Sequence, residues 1–178
     1  MSNYLNLLTF SRIIIAVAIF LSLISPDGYL LALILFFVAG ITDYFDGYLA
    51  RKYNLVSQIG EILDPLADKI LVVFVIIGLS INLSSFYIGF MGSIIISREI
   101  WISGLRDFNA RNNMTSATAV TFLAKVKTTV QLFTISLYLL ALFLDIMLMI
   151  IIADIFLLIS VLITIYTGYI YTYNSLLK

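Results

Sequence analysis

Two short stretches hold most of the chemistry this chain can offer. DYFDGYLAR, from Asp43 to Arg51, and GEILDPLADK, from Gly60 to Lys69, place four aspartates at the edges of two long apolar runs. An ionised carboxylate in hydrocarbon costs several kcal/mol on any insertion scale, so their position asks for an explanation. Asp43 and Asp46 are three residues apart, and Asp64 and Asp68 are four apart. Both spacings put a pair on one face of a helix. The link between the two runs is short, so the helices are expected to be antiparallel neighbours with their carboxylate ends together. Four converging carboxylates repel one another in a medium of reduced dielectric, and they stay ionised together only with cations among them. Two divalent ions about 4 Å apart, bridged by shared carboxylates, are a common solution where phosphoryl groups are transferred. Gly47, Gly60 and the small Ala50 permit close approach of a helix or ligand. Arg51 offers a cationic fork for a phosphate oxygen.

The rest of the composition narrows the chemistry to those carboxylates. The chain has no His and no Cys, which removes the commonest general base, the commonest transition-metal ligand and all thiolate chemistry. Carboxylate oxygens select hard cations such as Mg²⁺ or Mn²⁺. Hydrophobic residues make up 62% of the 178 positions and charged residues only 11%. A soluble domain has about a quarter of its residues charged, so this is an integral membrane protein. Its length suits one domain. The formal net charge of zero gives no basic face for a nucleic acid.

A membrane-crossing helix needs roughly 20 mainly apolar residues. Six spans are expected, at about residues 8–25, 29–49, 59–81, 86–105, 126–144 and 147–171. The turn-like Pro26-Asp27-Gly28 ends the first, and a polar turn at 82–85 separates the third from the fourth. The segment 1–11 is expected to start as an interfacial amphipathic stretch, since Tyr4, Leu5, Leu8 and Ile13 fall near helical spacing. With six spans, both termini lie on one side. That side then receives all ten Lys and Arg residues, and the opposite loops near Asp27, Asn82 and Asp145 receive none. Positive residues stay cytoplasmic, so the termini and the aspartates are expected to face the cytoplasm. No cleavable leader is expected, because no small-residue cleavage site follows the first span.

The run Asp43-x2-Asp46-Gly47-x2-Ala50-Arg51-x8-Gly60-x3-Asp64-x3-Asp68 resembles the complete signature of the CDP-alcohol phosphatidyltransferase family, in all eight fixed positions and every gap. The resemblance implies an all-α six-helix membrane fold, usually dimeric, with a divalent-metal site at the cytoplasmic end of the bundle. It implies that Asp43, Asp46 and Asp64 bind Mg²⁺ or Mn²⁺ as two ions, and that Asp68 touches one metal and acts as general base. Gly47, Ala50, Arg51 and Gly60 would line the site for the CDP moiety of CDP-diacylglycerol.

Three further stretches are similar to the bacterial branch of that family that uses glycerol 3-phosphate as acceptor. Asn6-Leu7-Leu8-Thr9-Phe10-Ser11-Arg12 is similar to its N-terminal N-x-LT-x-x-R, which makes Asn6, Thr9 and Arg12 N-terminal contributors. Ser97-Arg98-Glu99-Ile100 with Ser103-Gly104-Leu105-Arg106 is similar to its REI…SGLR segment. Ala124 to Gln131 resembles GKxKTxxQ, with Ala124 in place of the usual glycine. The implied reaction moves a phosphatidyl group from CDP-diacylglycerol to glycerol 3-phosphate in the bacterial cytoplasmic membrane. Arg98, Arg106, Lys125 and Lys127 suit the acceptor, because a dianionic phosphate needs cations and the aspartates alone would repel it. Two other readings share parts of this pattern. Cardiolipin, phosphatidylserine or phosphatidylinositol-phosphate synthesis would use the same donor site. A small cation transporter would put carboxylates near its midplane, often between repeated halves, and no such repeat is visible.

Plainer roles stand beside these. An aspartate pair can cap a helix or pair with Lys69 or Arg51, and Glu61 suits a helix N-terminal turn. Arg98 and Glu99 can form a structural ion pair with other helices. Lys125 and Lys127 can anchor a helix at anionic headgroups, a role that suits Lys127 better than Lys125. The tyrosines from Tyr166 to Tyr173 read as an interfacial aromatic belt. Asp154 lies within an apolar run and suits a dimer interface, a helix cap or a polar pocket.

Overall fold

The computed structural model describes residues 2–52, 58–112 and 121–176, with the side chains at 2–8, 44, 46–51 and 58–62 outside the description. Within them the chain forms six helices: α1 Ser2–Ser22, α2 Tyr29–Lys52, α3 Gln58–Asn82, α4 Phe86–Arg111, α5 Phe122–Leu144 and α6 Met147–Leu176. There is no strand among the described residues. The all-α expectation is met, and most helices run past the expected span by up to two turns. The segment read as an interfacial start is continuous with the first span in α1.

Four stretches of the described chain are long and apolar enough to cross a bilayer: Pro26–Asp43, Phe86–Arg111, Phe122–Leu144 and Met147–Leu176. Thr9–Ser22 is a shorter apolar stretch. Outward positions are as apolar as inward ones. Ile14, Leu21, Ile34, Phe37, Ile155 and Leu162 are all exposed, which suits lipid as the surrounding solvent.

Helix ends are made by local chemistry. Pro26–Gly28 forms a single 3₁₀ turn. A Cβ on Gly28 would lie 2.0 Å from the backbone oxygen of Ser22, so only glycine passes this corner. Ser84 and Asp145 have φ of 46° and 54°. Each takes the left-handed residue of a tight turn, between α3 and α4 and between α5 and α6, a conformation that short polar side chains tolerate.

The chain divides into two compact units, Met1–Ser85 with Leu139–Asp145, and Phe86–Tyr138 with Ile146–Lys178. In the first, α1 is the common packing partner of α2 and α3 among the described residues. Its inward stripe, Thr9, Arg12, Ala16, Ile19 and Leu23, alternates by three and four residues and is buried, as one helix face requires. Ala32, Phe36 and Ala39 of α2 and Ala67, Leu71, Val75 and Leu79 of α3 are also buried. Small residues at these positions let helix backbones approach, which matters where lipid gives no hydrophobic drive between helices. Gly78 has the same effect, since a Cβ there would lie 2.8 Å from Leu23. Phe20 meets Phe74 edge-on at 5.9 Å. The Asn82 amide donates to the Leu23 carbonyl at 2.7 Å and to the Tyr29 hydroxyl at 2.9 Å, which ties the three helices at one end. Thr9 meets Asp64 at the other end, so α1 and α3 run parallel and α2 runs against both.

The second unit packs α4 against α6. Tyr171 lies against Ile102 and Leu105, with Ala124 of α5 beside them, and Phe133 of α5 meets Phe156 edge-on at 5.1 Å.

Two glycines test the account of the corner. Gly28→Ala should cost about 1–3 kcal/mol, because backbone cannot yield as a side chain can. Gly40 has nothing within 4 Å of an added Cβ, so Gly40→Ala should be neutral or slightly stabilising. Thermal unfolding in detergent, followed by helical circular dichroism, checks both.

Candidate active site

The inward stripe of α1 carries two polar residues one turn apart, Thr9 and Arg12, and both are buried. The stripes of α2 and α3 reach the same end of the unit with carboxylates. Asp43 follows Ala39 by four residues, and Asp64 and Asp68 precede Leu71 and Val75 at helical spacing. The periodicity that packs the apolar residues therefore also brings the charged ones together.

They meet on Arg12. Its Nη1 donates to Asp43 Oδ1 and, at 2.7 Å, to Asp68 Oδ1. Its Nη2 donates to Asp64 Oδ1 at 3.1 Å. The Thr9 hydroxyl donates to the same Asp64 oxygen at 2.6 Å. The Arg12 side chain is 1% exposed, whereas those of Asp43, Asp64 and Asp68 are 49%, 51% and 55% exposed. The guanidinium thus enters from the buried side, and the carboxylates keep an open side. All these bonds use Oδ1, and the second oxygen of each aspartate takes no part in them.

Among the described residues no three carboxylates form a metal-ligand set on their own; the point where they meet is the guanidinium. The donor chemistry nevertheless fits a hard divalent cation. It is all carboxylate oxygen, half exposed, from two helices, and already oriented toward one positive charge. Asp46 is in α2 with Gly47, Ala50 and Arg51, Gly60 is in α3 and Asn6 in α1; the side chains of these six lie outside the described residues. Sequence reading placed Arg12 at the margin of the site. The usable signal was the i, i+3 pairing of Thr9 with a lone arginine in an apolar span, since such a charge needs a partner inside the protein.

The expectation that α2 and α3 adjoin directly is refined by this arrangement. Their described carboxylates come together through a residue of α1.

The basic residues fall in the second unit. Arg98 Nη1 donates to Glu99 Oε1 at 3.0 Å, and Lys127 Nζ donates to the same oxygen. Arg98 Nη2 donates to Thr167 Oγ1 at 2.9 Å, and its guanidinium lies 5.8 Å from the Tyr171 ring centre. Gly168 makes room for the Arg98 stem, since a Cβ there would lie 3.2 Å from Arg98 Cγ. Lys127 is buried, whereas Lys125 and Arg106 are exposed. Of the two lysines, Lys125 is therefore the one placed to reach a headgroup, and Lys127 is held on Glu99. The ion pair with another helix that the sequence allowed is made by Glu99 with Lys127 of α5, and Glu99 also pairs with its neighbour Arg98.

Asp154 sits two turns into α6, too deep to cap the helix. The Tyr138 hydroxyl donates to its Oδ1 at 2.5 Å, and the Tyr87 hydroxyl donates to its backbone oxygen at 3.0 Å. Of the roles expected for it, the polar pocket is the one described. The tyrosine run also divides. Tyr166, Tyr169 and Tyr173 are exposed, and Tyr171 is buried, where its hydroxyl accepts from the Thr121 amide at 3.2 Å.

A helical membrane protein whose aspartates are gathered at one end of a helix cluster is a candidate for metal-assisted chemistry on a lipid. Residues 3–166 match the CDP-alcohol phosphatidyltransferase family, and the chain belongs to it. It is 41% identical over 177 residues to the CDP-diacylglycerol–glycerol-3-phosphate 3-phosphatidyltransferase of Rickettsia bellii, covering 95% of this chain and 93% of that protein. The protein of the same description from Rickettsia typhi is 41% identical over 179 residues, covering 96% of each chain. That from Escherichia coli K12 is 38% identical over 133 residues, covering 73% of this chain and 72% of the other.

The Glu99 cluster carries a direct expectation. Glu99→Ala leaves buried Lys127 and partly buried Arg98 without their shared carboxylate and should lower stability by roughly 3 kcal/mol. Asp107→Ala removes an exposed pair with Arg111 and should leave it unchanged. Thermal midpoints of the two variants in the same detergent give the comparison.

Proposed function

We propose that this protein transfers the phosphatidyl group of CDP-diacylglycerol to glycerol 3-phosphate, releasing CMP and forming phosphatidylglycerophosphate. The observation that carries the proposal is the convergence of Asp43, Asp64 and Asp68 on one buried cation. This occurs within a chain of this family whose relatives are described by that activity.

Asp43, Asp46 and Asp64, with Asp68 at the edge, would hold Mg²⁺ or Mn²⁺, as two ions. Divalent cations held there would supply positive charge to offset the charge that develops on the donor's pyrophosphate as CMP departs. By the family resemblance, Gly47, Ala50 and Gly60 would serve the cytidine end of the donor, and Arg51 its phosphates. Asp68 accepts the proton of the 1-hydroxyl of glycerol 3-phosphate. That oxygen forms a bond to the β-phosphorus as the bond from phosphorus to the CMP oxygen breaks. Asp68 is half exposed, which leaves it reachable by a water-soluble acceptor. Arg98, Arg106, Lys125 and Lys127 supply the positive charge that an acceptor phosphate requires. Glu99 offsets one of the two charges it binds, so the Arg98–Lys127–Glu99 group keeps a net positive charge. Asn6, Thr9 and Arg12 complete the site from α1.

The reading includes six membrane spans, cytoplasmic termini and a homodimer in the bacterial cytoplasmic membrane, with the site on the cytoplasmic side. Support comes from the one-sided distribution of all ten basic residues and, for the dimer, from the family resemblance.

Purified protein supplied with CDP-diacylglycerol and Mg²⁺ or Mn²⁺ should release CMP with glycerol 3-phosphate, and chelation by EDTA should stop it. Release only with serine, inositol phosphate or phosphatidylglycerol would overturn the acceptor assignment. Asp68→Asn should reduce turnover by about 10²-fold or more while donor binding persists; near-normal turnover would remove Asp68 as base. Lys125→Ala should raise KM for glycerol 3-phosphate more than KM for the lipid. Equal effects would point to a headgroup anchor instead.

A further inference from the structure

Arg12 stands apart from every other cation described in the chain. It is almost wholly enclosed, on an apolar helix face between Thr9 and Ala16, and three carboxylates from two other helices meet its two terminal nitrogens. Its Nε is buried without a hydrogen-bond partner among the described residues, so the contacts described for the guanidinium are those with the carboxylates. Arginine keeps its charge under all ordinary conditions, so this positive charge is a permanent feature of the site's electrostatics. Asp43, Asp64 and Asp68 bring three negative charges against this single positive one, an excess of negative charge that divalent cations would offset. The guanidinium occupies the buried side, and the half-exposed carboxylates keep their open side for an incoming ion.

We infer that Arg12 is a positioning residue for the divalent-cation site, with two effects of opposite sign. It holds Asp43, Asp64 and Asp68 together without a bound ion, and its fixed charge weakens the binding of that ion. Three carboxylates lacking Arg12 would repel each other until a cation arrived, so the cation would then stabilise the protein far more. With Arg12 present, part of that neutralisation is built into the fold, and the ion adds less. The site is thereby kept assembled and its ions exchangeable. Thr9 assists by fixing Asp64 Oδ1 from the same helix face. The inference rests on the reading of these aspartates as cation ligands.

The test is the gain in thermal midpoint when Mn²⁺ replaces EDTA, measured on the purified full-length chain. Arg12→Gln removes the charge and keeps a comparable volume. It should unfold at a lower temperature than wild type in EDTA and show a larger gain with Mn²⁺. Tenfold tighter binding is about 1.4 kcal/mol, or roughly 3–6 °C of extra gain for a chain of this size. Arg12→Lys keeps the charge but loses the fork, and its gain should fall between the two. If Arg12→Gln does not fold even with Mn²⁺, Arg12→Lys against wild type decides by the same comparison. Gains no larger than wild type in the foldable variants would overturn the role of Arg12. No gain in wild type would overturn the cation site itself, which separates the two failures.

Discussion

A charge that leaves water must find its partners inside the protein, and in this chain that constraint organises the first unit. Arg12 lies on a helix face that, apart from Thr9, is made of alanine and large aliphatic residues. Such a charge is tolerated in apolar surroundings only when paired and hydrogen-bonded. The pairing comes from three aspartates on two other helices, so α1 links α2 and α3 at their charged ends as well as along their apolar stripes. The arrangement is mutual. The aspartates would repel one another without a cation, and the guanidinium would be untenable without the aspartates.

The same constraint recurs in the second unit with different residues. Glu99 takes two cations on one oxygen, and Arg98 also reaches Thr167. Asp154 takes a tyrosine hydroxyl on its side chain and another on its backbone. Asn109, fully buried, donates to Ser175 at 2.8 Å. Lys127 on Glu99 joins α5 to α4, and the links through Thr167, Asp154 and Ser175 join α4 or α5 to α6; each replaces water that an apolar environment cannot supply. Helices whose outer faces are aliphatic gain little specificity from hydrophobic contact in lipid. Polar links of this kind set which faces meet.

Much of the fold was legible because helix period and span length are local properties. The apolar runs, the Pro26–Gly28 corner and the turns at Ser84 and Asp145 follow from residue types a few positions apart. The family signature was legible for the same reason, since Asp43 to Asp68 lie in one continuous stretch. Arg12 was harder to place. It is 31 residues before Asp43 and 56 before Asp68, and nothing local states which helix it faces. Lys127 was misjudged as the better headgroup anchor for a similar reason. Lys125 and Lys127 look alike in sequence, but two residues on a helix point to different sides, and only packing tells which side is interior.

The sequence by itself determined that this is a helical membrane protein of this family, and that Asp43, Asp64 and Asp68 belong together. Composition, period and spacing are enough for that, because they act within one helix or one hairpin. Tertiary structure alone decided that a buried arginine of α1 gathers the aspartates, and that Glu99 holds Lys127 inside while Lys125 stays outside. Those outcomes depend on which faces of distant helices meet. Once water is excluded, the partner of each charge is chosen by that meeting.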